Sequence, residues 1–339
     1  MNPTFSIVIV TWNGLHHLQT FLPSVAETDH SSFEIVIADN ASNDDTVAWI
    51  RKQIPQCRIV TFDRNHGYCG GNNRAAAYCR GEILVFLNND VRVEPNWLSE
   101  LEKPFADDQA SVVQPKIRSY TEPEKFEYAG ASGGFIDRMG YPFCRGRLFE
   151  TVEEDAGQYD EAIPVFWASG AALAIRRDLF DRLGGFDESF EFHMEEIDLC
   201  WRAWRYGHKV MVEPRSVVYH LGGGSMPMGS TRKVYYNYRN SLLMLTKNHQ
   251  HSSLLPAIFL RLCLDGVAGL RSLLQLKPEE TWAVIRAHFG YYRRLPEALR
   301  KRKKLAAEAD SEPPAQTVHS RLIIIDYFLK GVRRFSELY

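Results

Sequence analysis

Apolar runs and polar intervals alternate along the first hundred residues. FSIVIV (Phe5–Val10) is apolar at nearly every position, the pattern of a strand buried on both faces. Leu15–Ala26 reads as a helix, EIVIAD (Glu34–Asp39) as a second strand and Asp44–Ile54 as a second helix. RIVTF (Arg58–Phe62) and ILVFL (Ile83–Leu87) supply the third and fourth strands, with helices predicted over Gly71–Cys79 and Pro95–Phe105. This alternation predicts an α/β fold, a Rossmann-like, mainly parallel sheet with helices on both faces. Ligands bind such sheets beyond the carboxyl ends of the strands. All four ends are polar here: Thr11-Trp12-Asn13, Asp39-Asn40-Ala41-Ser42, Asp63-Arg64-Asn65-His66-Gly67 and Asn88-Asn89-Asp90. One polar strand end is a loop or a helix cap. Four on one rim predict a binding crevice.

The pattern then changes. From Val112 to about Ser230 the chain is less regular and rich in Gly and aromatics. Gly130–Phe149 reads as a loop beside the crevice, with Arg145 and Arg147 either solvated or meeting a phosphate. From Arg232 on, amphipathic helices are predicted. In Ser253–Leu276 only Arg261, Asp265, Arg271 and Gln275 interrupt an apolar surface, the mark of a largely buried helix. The basic cluster Arg300–Lys304 and a basic amphipathic end, RLIIIDYFLKGVRRF, follow.

Composition sharpens this picture in three ways. The 339 residues are 45% hydrophobic, enough for a real core. Net charge is −2, against a generic nucleic-acid binder, yet residues 232–339 hold 19 Lys and Arg against nine Asp and Glu. The six cysteines form no CxxC pair, so neither a zinc nor a redox motif is indicated, and scattered thiols fit a reducing cytoplasm. No basic n-region precedes FSIVIV and no uncharged apolar run reaches about 18 residues, so neither a signal peptide nor a membrane span is expected.

Dinucleotide and P-loop readings are weak. The first strand–helix turn, TWNGLHH, has one glycine, GYCGGNN lacks the spacing of GxGxxG, and no GxxxxGK[ST] occurs. Without a P-loop, a divalent metal is another way to hold a diphosphate. Mg²⁺ or Mn²⁺ takes one or two carboxylates plus phosphate oxygens. Asp90 is placed for that, with Asn88 and Asn89 orienting it or contacting ribose. The alternative is that Asn89-Asp90 caps the following turn. Asp39 suits the N–H edge of a pyrimidine, with Thr11 and Asn13 completing a base or ribose pocket. Its alternative is a cap network for the helix near Asp44.

The chain resembles the family 2 glycosyltransferases of the GT-A fold, and most closely the bacterial rhamnosyltransferase-like members that build cell-surface polysaccharide. The matching pieces are IVIVTWNG, IADNASNDDT, NHGYCGGNNRA, FLNNDV, the block from Trp167 to Val210 and VVYHLGGGS. The resemblance implies a GT-A catalytic domain over 1–231, with a nucleotide-binding half (1–110) and an acceptor half (111–231), followed by a basic helical region over 232–339. It places the nucleotide pocket on Thr11, Asn13 and Asp39, with Asn65, Gly71 and Asn72 contacting nucleotide or donor sugar. Asp90 falls on the last carboxylate of the DxD-like metal motif, whose first position is Asn88 here. The missing charge implies weaker metal binding or help from His220, where related enzymes use a histidine ligand better suited to Mn²⁺ than to Mg²⁺.

By the same resemblance the reaction is an inverting transfer from a nucleoside-diphosphate sugar, dTDP-rhamnose first and UDP- or GDP-sugars next. The acceptor is a glycan or polyprenyl-linked glycan. Glu195, Glu196 and Asp198 crowd a helix start, which by itself is ordinary capping chemistry. The family's proton acceptor falls on Glu196, with Glu195 the second choice, while Asp198 and Arg202 hold the loop together. Gly170 belongs to the acceptor side. Trp167, Phe192 and Trp201 are candidates for stacking on sugars, and Trp204 for the core. The basic helices predict peripheral contact with the inner face of the plasma membrane, or instead a hairpin packed on the protein or in a homo-oligomer. A sugar nucleotidyltransferase and a non-catalytic nucleotide-sugar-binding protein are the rival classes. The first would need a basic, Gly-rich loop that TWNGLHH lacks.

Overall fold

The computed structural model describes residues 4–222, 230–250 and 253–339. Gly223, Gly224 and Ser225 of the VVYHLGGGS block lie outside them. The four apolar runs form β1 (Phe5–Thr11), β2 (Phe33–Asp39), β3 (Arg58–Thr61) and β4 (Ile83–Leu87). All pair in parallel, β1 lying between β2 and β4, and β3 beside β2. Successive side chains point to opposite faces. Ile7, Ile9, Ile35 and Ile37 therefore enter one core, and Val8, Val36, Leu84 and Phe86 another. Burial on both faces is why these strands carry no polar alternation. The helices between them are α1 (Leu15–Ala26), α2 (Thr46–Gln53) and α3 (Gly67–Ala76), with α4 (Trp97–Glu102) after β4. α3 starts earlier than predicted because Asn65 Oδ1 accepts the Gly67 N–H at 2.8 Å and Gly67 takes a φ of +70°.

Then come β5 (Val91–Val93), β6 (Ala110–Ser119), β7 (Gly134–Asp137), β8 (Pro142–Cys144), β9 (Arg147–Leu148), β10 (Thr151–Val152), β11 (Ile163–Pro164), β12 (Ala172–Arg176) and β13 (Lys209–His220). β12 enters the main sheet antiparallel, between β4 and β6. β13 runs parallel to β6, with β5 and β11 antiparallel along it. Between β12 and β13 lie α5 (Arg177–Leu183) and α6 (Glu195–Arg205).

The Gly130–Phe149 segment is not a loop. It forms β7, β8 and β9 of a second sheet, and β14 (Val318–His319) near the chain end adds parallel to β7. Arg145 and Arg147 are buried, neither solvated nor offered to a phosphate. Arg145 donates to the carbonyls of Ser132, Tyr159 and Glu161, and Arg147 to that of Phe149 while lying 4.4 Å over the Tyr128 ring. Short strands leave many carbonyls unpaired, and a guanidinium with five donors satisfies several at once. Trp167 and Trp201 are buried core residues rather than sugar platforms, as is Trp204; Phe192 is half-buried, its ring 6.0 Å from that of Tyr236.

The remaining helices are α7 (Thr231–Asn248), α8 (Leu254–Leu274), α9 (Pro278–Glu308) and α10 (Ile323–Phe328). α9 lies along α7, and α8 packs on α9. α8 is not largely buried. Its buried residues are Leu254, Ala257, Ile258, Arg261, Asp265 and Gly269, so Arg261 and Asp265 face inward while Arg271 and Gln275 are exposed. Arg261 donates to Met139 O (2.7 Å) and Ser241 Oγ (2.8 Å) and stacks 3.8 Å from the Tyr141 ring centre. Asp265 lies 3.3 Å from His288. Among the described residues no helix is long and apolar enough to cross a membrane.

Candidate active site at the strand ends

The ends of β1, β2 and β4 meet through direct hydrogen bonds. Asn89 Nδ2 donates to Thr11 Oγ1 at 3.0 Å. Gly14 makes that approach possible, since a Cβ there would stand 2.2 Å from Thr11 Oγ1 and 2.6 Å from Asn89 Nδ2. Asn13, at a φ of 48°, accepts the Asn43 N–H (2.9 Å) and donates its own N–H to Ser42 Oγ (2.8 Å). Asp39 is buried. Its Oδ2 accepts the Ser42 N–H at 3.2 Å, and its Oδ1 is buried with no hydrogen-bond partner among the described residues. A lone acceptor of this kind is costly unless a ligand completes it. Asn65 is exposed, and its side chain accepts the Gly67 N–H at the start of α3. Asn72 donates within α3 to Tyr68 O (3.0 Å), and Gly71 packs against Val10 and Asn40.

A second corner gathers Asn88, Asp90 and His220. Asp90 Oδ1 is 3.2 Å from His220 Nε2, Asn88 Nδ2 is 3.4 Å from the same nitrogen, and Glu127 is 3.4 Å from Nδ1. β13 brings His220 here because it pairs antiparallel with β5, opposing His220 to Val91. Burial alone would lower the imidazole pKa. The contacts with Asp90 and Glu127 outweigh it and push the group up to about 10. Burial likewise opposes the Asp90 charge, but His220 holds the carboxyl below its ordinary value.

The third group is the carboxylate pair. Glu195 and Glu196 open α6, each with a buried Oε2 lacking a hydrogen-bond partner among the described residues. Burial raises both carboxyls, Glu196 to about 7 and Glu195, which also feels Glu196, further above its ordinary value. The chain reaches them through an unfavourable backbone: Glu191, His193 and Met194 all take left-handed φ values of 66°, 64° and 74°. Each costs of order 1–3 kcal/mol and persists only where the surroundings impose it. α7 imposes it. Asn240 Nδ2 donates to the carbonyls of Phe190, Phe192 and His193 at 2.8, 2.6 and 2.9 Å. Arg239 reaches Phe190 O (2.9 Å) and Glu191, and Arg294 of α9 reaches Ser189 O (3.0 Å) and Glu191 (2.8 Å). Asp198 accepts from Arg202, Lys247 and Asn248.

The segment before β12 joins these groups. The Asn88 N–H donates to Ala171 O at 2.9 Å, and next to it Gly170 O accepts from Tyr68 at 2.8 Å. A Cβ on Gly170 would sit 3.8 Å from that of Glu196. The Asn88–Asp90 corner and the carboxylate pair thus flank one short stretch of backbone.

The sequence profile of the family described as glycosyl transferase family 2 matches residues 6–184, from β1 to the end of α5. The chain belongs to glycosyl transferase family 2. A relative from Mycobacterium tuberculosis, named as an N-acetylglucosaminyl-diphospho-decaprenol L-rhamnosyltransferase, is 26% identical over 297 residues, covering 82% of this chain and 94% of that one. S. aureus TarS 1–349 is similar in structure with a TM-score of 0.58 and 16% identity, over 91% of this chain and 83% of that one. GalNAc-T7, crystallised with UDP, GalNAc and Mn²⁺, gives 0.57 and 19%, over 73% and 48%. The fold of this glycosyltransferase is GT-A with a C-terminal helical region.

Several groups in the glycosyltransferase site escaped sequence reasoning. Asn40, next to Asp39, accepts the His66 N–H (3.0 Å) and donates to Gly67 O (3.1 Å), fixing the α3 start. Its place at a polar strand end was the signal. Glu127 comes from irregular chain and carries none. The pair Arg239-Asn240 sits among many other polar residues of α7, and the sequence alone does not single it out.

Proposed function

We propose that this glycosyltransferase moves a sugar, with inversion, from a nucleoside-diphosphate donor to a hydroxyl of a glycan or polyprenyl-linked glycan. Its work is cell-surface polysaccharide synthesis at the cytoplasmic face of the membrane. dTDP-rhamnose is the first donor to test: the name of the mycobacterial relative supports rhamnose, and the nucleotide follows the family resemblance. The observation that carries the reading is the carboxylate pair across Gly170-Ala171 from the Asn88–Asp90 corner.

Asp39 Oδ1 takes the N–H of a thymine or uracil ring, and Thr11 and Asn13 line the same pocket. Asn89 faces ribose, with Asn65, Gly71 and Asn72 on the donor side. Asp90 and His220 would hold Mn²⁺ or Mg²⁺, with Asn88 adjoining. One carboxylate and one imidazole are a sparse donor set, and among the described residues no group of three or more His, Cys, Asp or Glu forms a closed metal site. That fits a cation completed by donor phosphates and water, Mn²⁺ before Mg²⁺. Once bound, the cation stabilises charge on the departing diphosphate. Glu196 takes the acceptor hydroxyl's proton; its pKa near 7 is suited to a general base at neutral pH. Glu195 beside it, its carboxyl also raised by burial, is the second choice for the same role.

Thermal unfolding with nucleoside diphosphates tests the reading. dTDP with Mn²⁺ at a hundredfold excess over its dissociation constant stabilises by about 2.7 kcal/mol. No shift with dTDP, UDP or GDP, with or without metal, removes the donor-binding claim.

Asn240→Ala tests how the base is positioned. The carbonyls of Phe192 and His193 lose their Asn240 donor while Phe190 O keeps Arg239, and the left-handed loop relaxes. kcat falls about 10- to 100-fold, the scale of a 1 Å misplacement, while the dTDP-dependent shift persists. Unchanged kcat means the loop holds its shape without Asn240.

A further inference from the structure

α8 is amphipathic in the reverse sense to a helix on a water-soluble surface. Arg261 and Asp265 point into the protein, while Leu255 (79% exposed), Phe259 (70%), Val267 (65%), Leu270 (56%) and Leu274 (77%) point away. With exposed Cys263 these follow one another at intervals of three or four residues, a single outward stripe. On α9 the stripe resumes with Trp282, Ile285, Phe289, Tyr292 and Leu299, all exposed. Arg286, Arg293 and Arg300 follow Ile285, Tyr292 and Leu299 directly, so an apolar–Arg pair recurs every seven residues. Phe328 and Leu329 extend the patch, since Arg271 of α8 lies 5.0 Å from the centre of the Phe328 ring.

So many large apolar side chains do not stay in water; contiguous exposed patches beyond a few hundred Å² mark contact surfaces. Charge selects the occupant. Across α8, α9 and the turn joining them the exposed ionic groups are Arg271, Lys277, Arg286, Arg293, Arg300, Lys303 and Lys304 against the exposed carboxylates Glu279 and Glu308. A second copy would set those cations against themselves. A bilayer with anionic headgroups accepts the apolar stripe in its acyl boundary and the arginines at its surface. Trp and Tyr, apolar with one polar tip, suit that depth.

We propose that the outward face of α8 and α9, with the end of α10, seats on an anionic lipid bilayer. This deepens the membrane part of the function above by assigning its surface and lipid class, and it rests on that reading only for its purpose. The same α9 reaches the base loop through Arg294, so the seated face and the acceptor side share one helix.

Vesicle sedimentation tests the proposal with the full chain. Binding to phosphatidylcholine vesicles containing about a third phosphatidylglycerol exceeds that to phosphatidylcholine alone by roughly tenfold or more. The double variant F259S/F289S, altered only at exposed positions, loses it while keeping its melting temperature and dTDP response. Trp282 emission shifts to the blue on these vesicles, and the shift is missing in Trp282→Phe. Failure of the wild type to sediment with anionic vesicles overturns the proposal. So does a dimer by light scattering that the double variant dissociates, which gives the face to a second copy. Loss of donor response alone leaves this surface standing and removes only the transfer chemistry.

Discussion

Glu196→Gln lowers kcat by about a thousandfold, within the range for loss of a general base, and leaves the donor-induced thermal shift in place. The amide matches the carboxylate in shape and cannot accept the proton. Glu195→Gln costs far less if Glu196 is the proton acceptor, and the reverse order of the two variants gives the role to Glu195. The wild-type kcat/KM rises with pH through an acid limb near 7, because Glu196 must lose its proton to act. Stability moves the other way. Burial raises the folded-state pKa from 4.5 to about 7, so the stability this carboxyl contributes is fully present below about pH 4.5 and lost as pH rises through 7. Glu196→Gln escapes that loss, and its melting temperature gains on the wild type between pH 5 and pH 8. Full turnover by the Gln variant removes the assignment. A melting difference independent of pH removes the buried-carboxyl account.

Asp90→Asn abolishes Mn²⁺-dependent donor binding and lowers activity by about a thousandfold, a loss of several kcal/mol of charge stabilisation. Asn fills the same volume and Glu127 still faces His220, so a melting temperature measured alongside separates lost metal binding from lost stability. His220 reports on the change. Between Asp90 and Glu127 its imidazole holds a proton up to about pH 10, and a protonated ring cannot ligate a metal. Metal binding therefore displaces a proton, and apparent Mn²⁺ affinity rises about tenfold per pH unit below 10. Calorimetry in buffers of different ionisation enthalpy reads that proton directly. Metal binding with no proton release removes His220 from the ligand set. Unaltered metal response in Asp90→Asn removes the metal site from this corner.

Residues 1–110 were legible because their strands are buried on both faces. β4 is the predicted run without change, and β1 and β2 shift by one residue at an end. The polar strand ends were equally plain, since a parallel sheet puts all its ligand contacts on one edge. The stretch from 111 to 231 was not. Its strands are two to five residues long between β7 and β12, too short for a period-2 pattern to emerge. Arg145 and Arg147 look like surface groups in any sequence, and only the stranded carbonyls around them explain their burial. α8 was misread for a different reason. Periodicity gives the width of a polar stripe but not which side of the helix meets the protein. Deciding that needed Met139 O, Ser241 and Tyr141, which lie far away in sequence. Glu196 drew its role from a motif, and its environment comes from the sequence-distant α7.

The dependence on α7 and α9 bears on what could be cut away. The family profile ends at residue 184, which invites trimming the chain to its sheet. A version ending at residue 230 would strip Asp198 of Lys247 and Asn248, and Asp187 of Lys247 and Lys301. Losing a partner of a buried ion pair costs about 3–5 kcal/mol, comparable to the whole margin of a modest domain. The helices after β13 are therefore no removable handle: enzyme and appendage are one cooperative body, to be inherited, grafted or expressed only together.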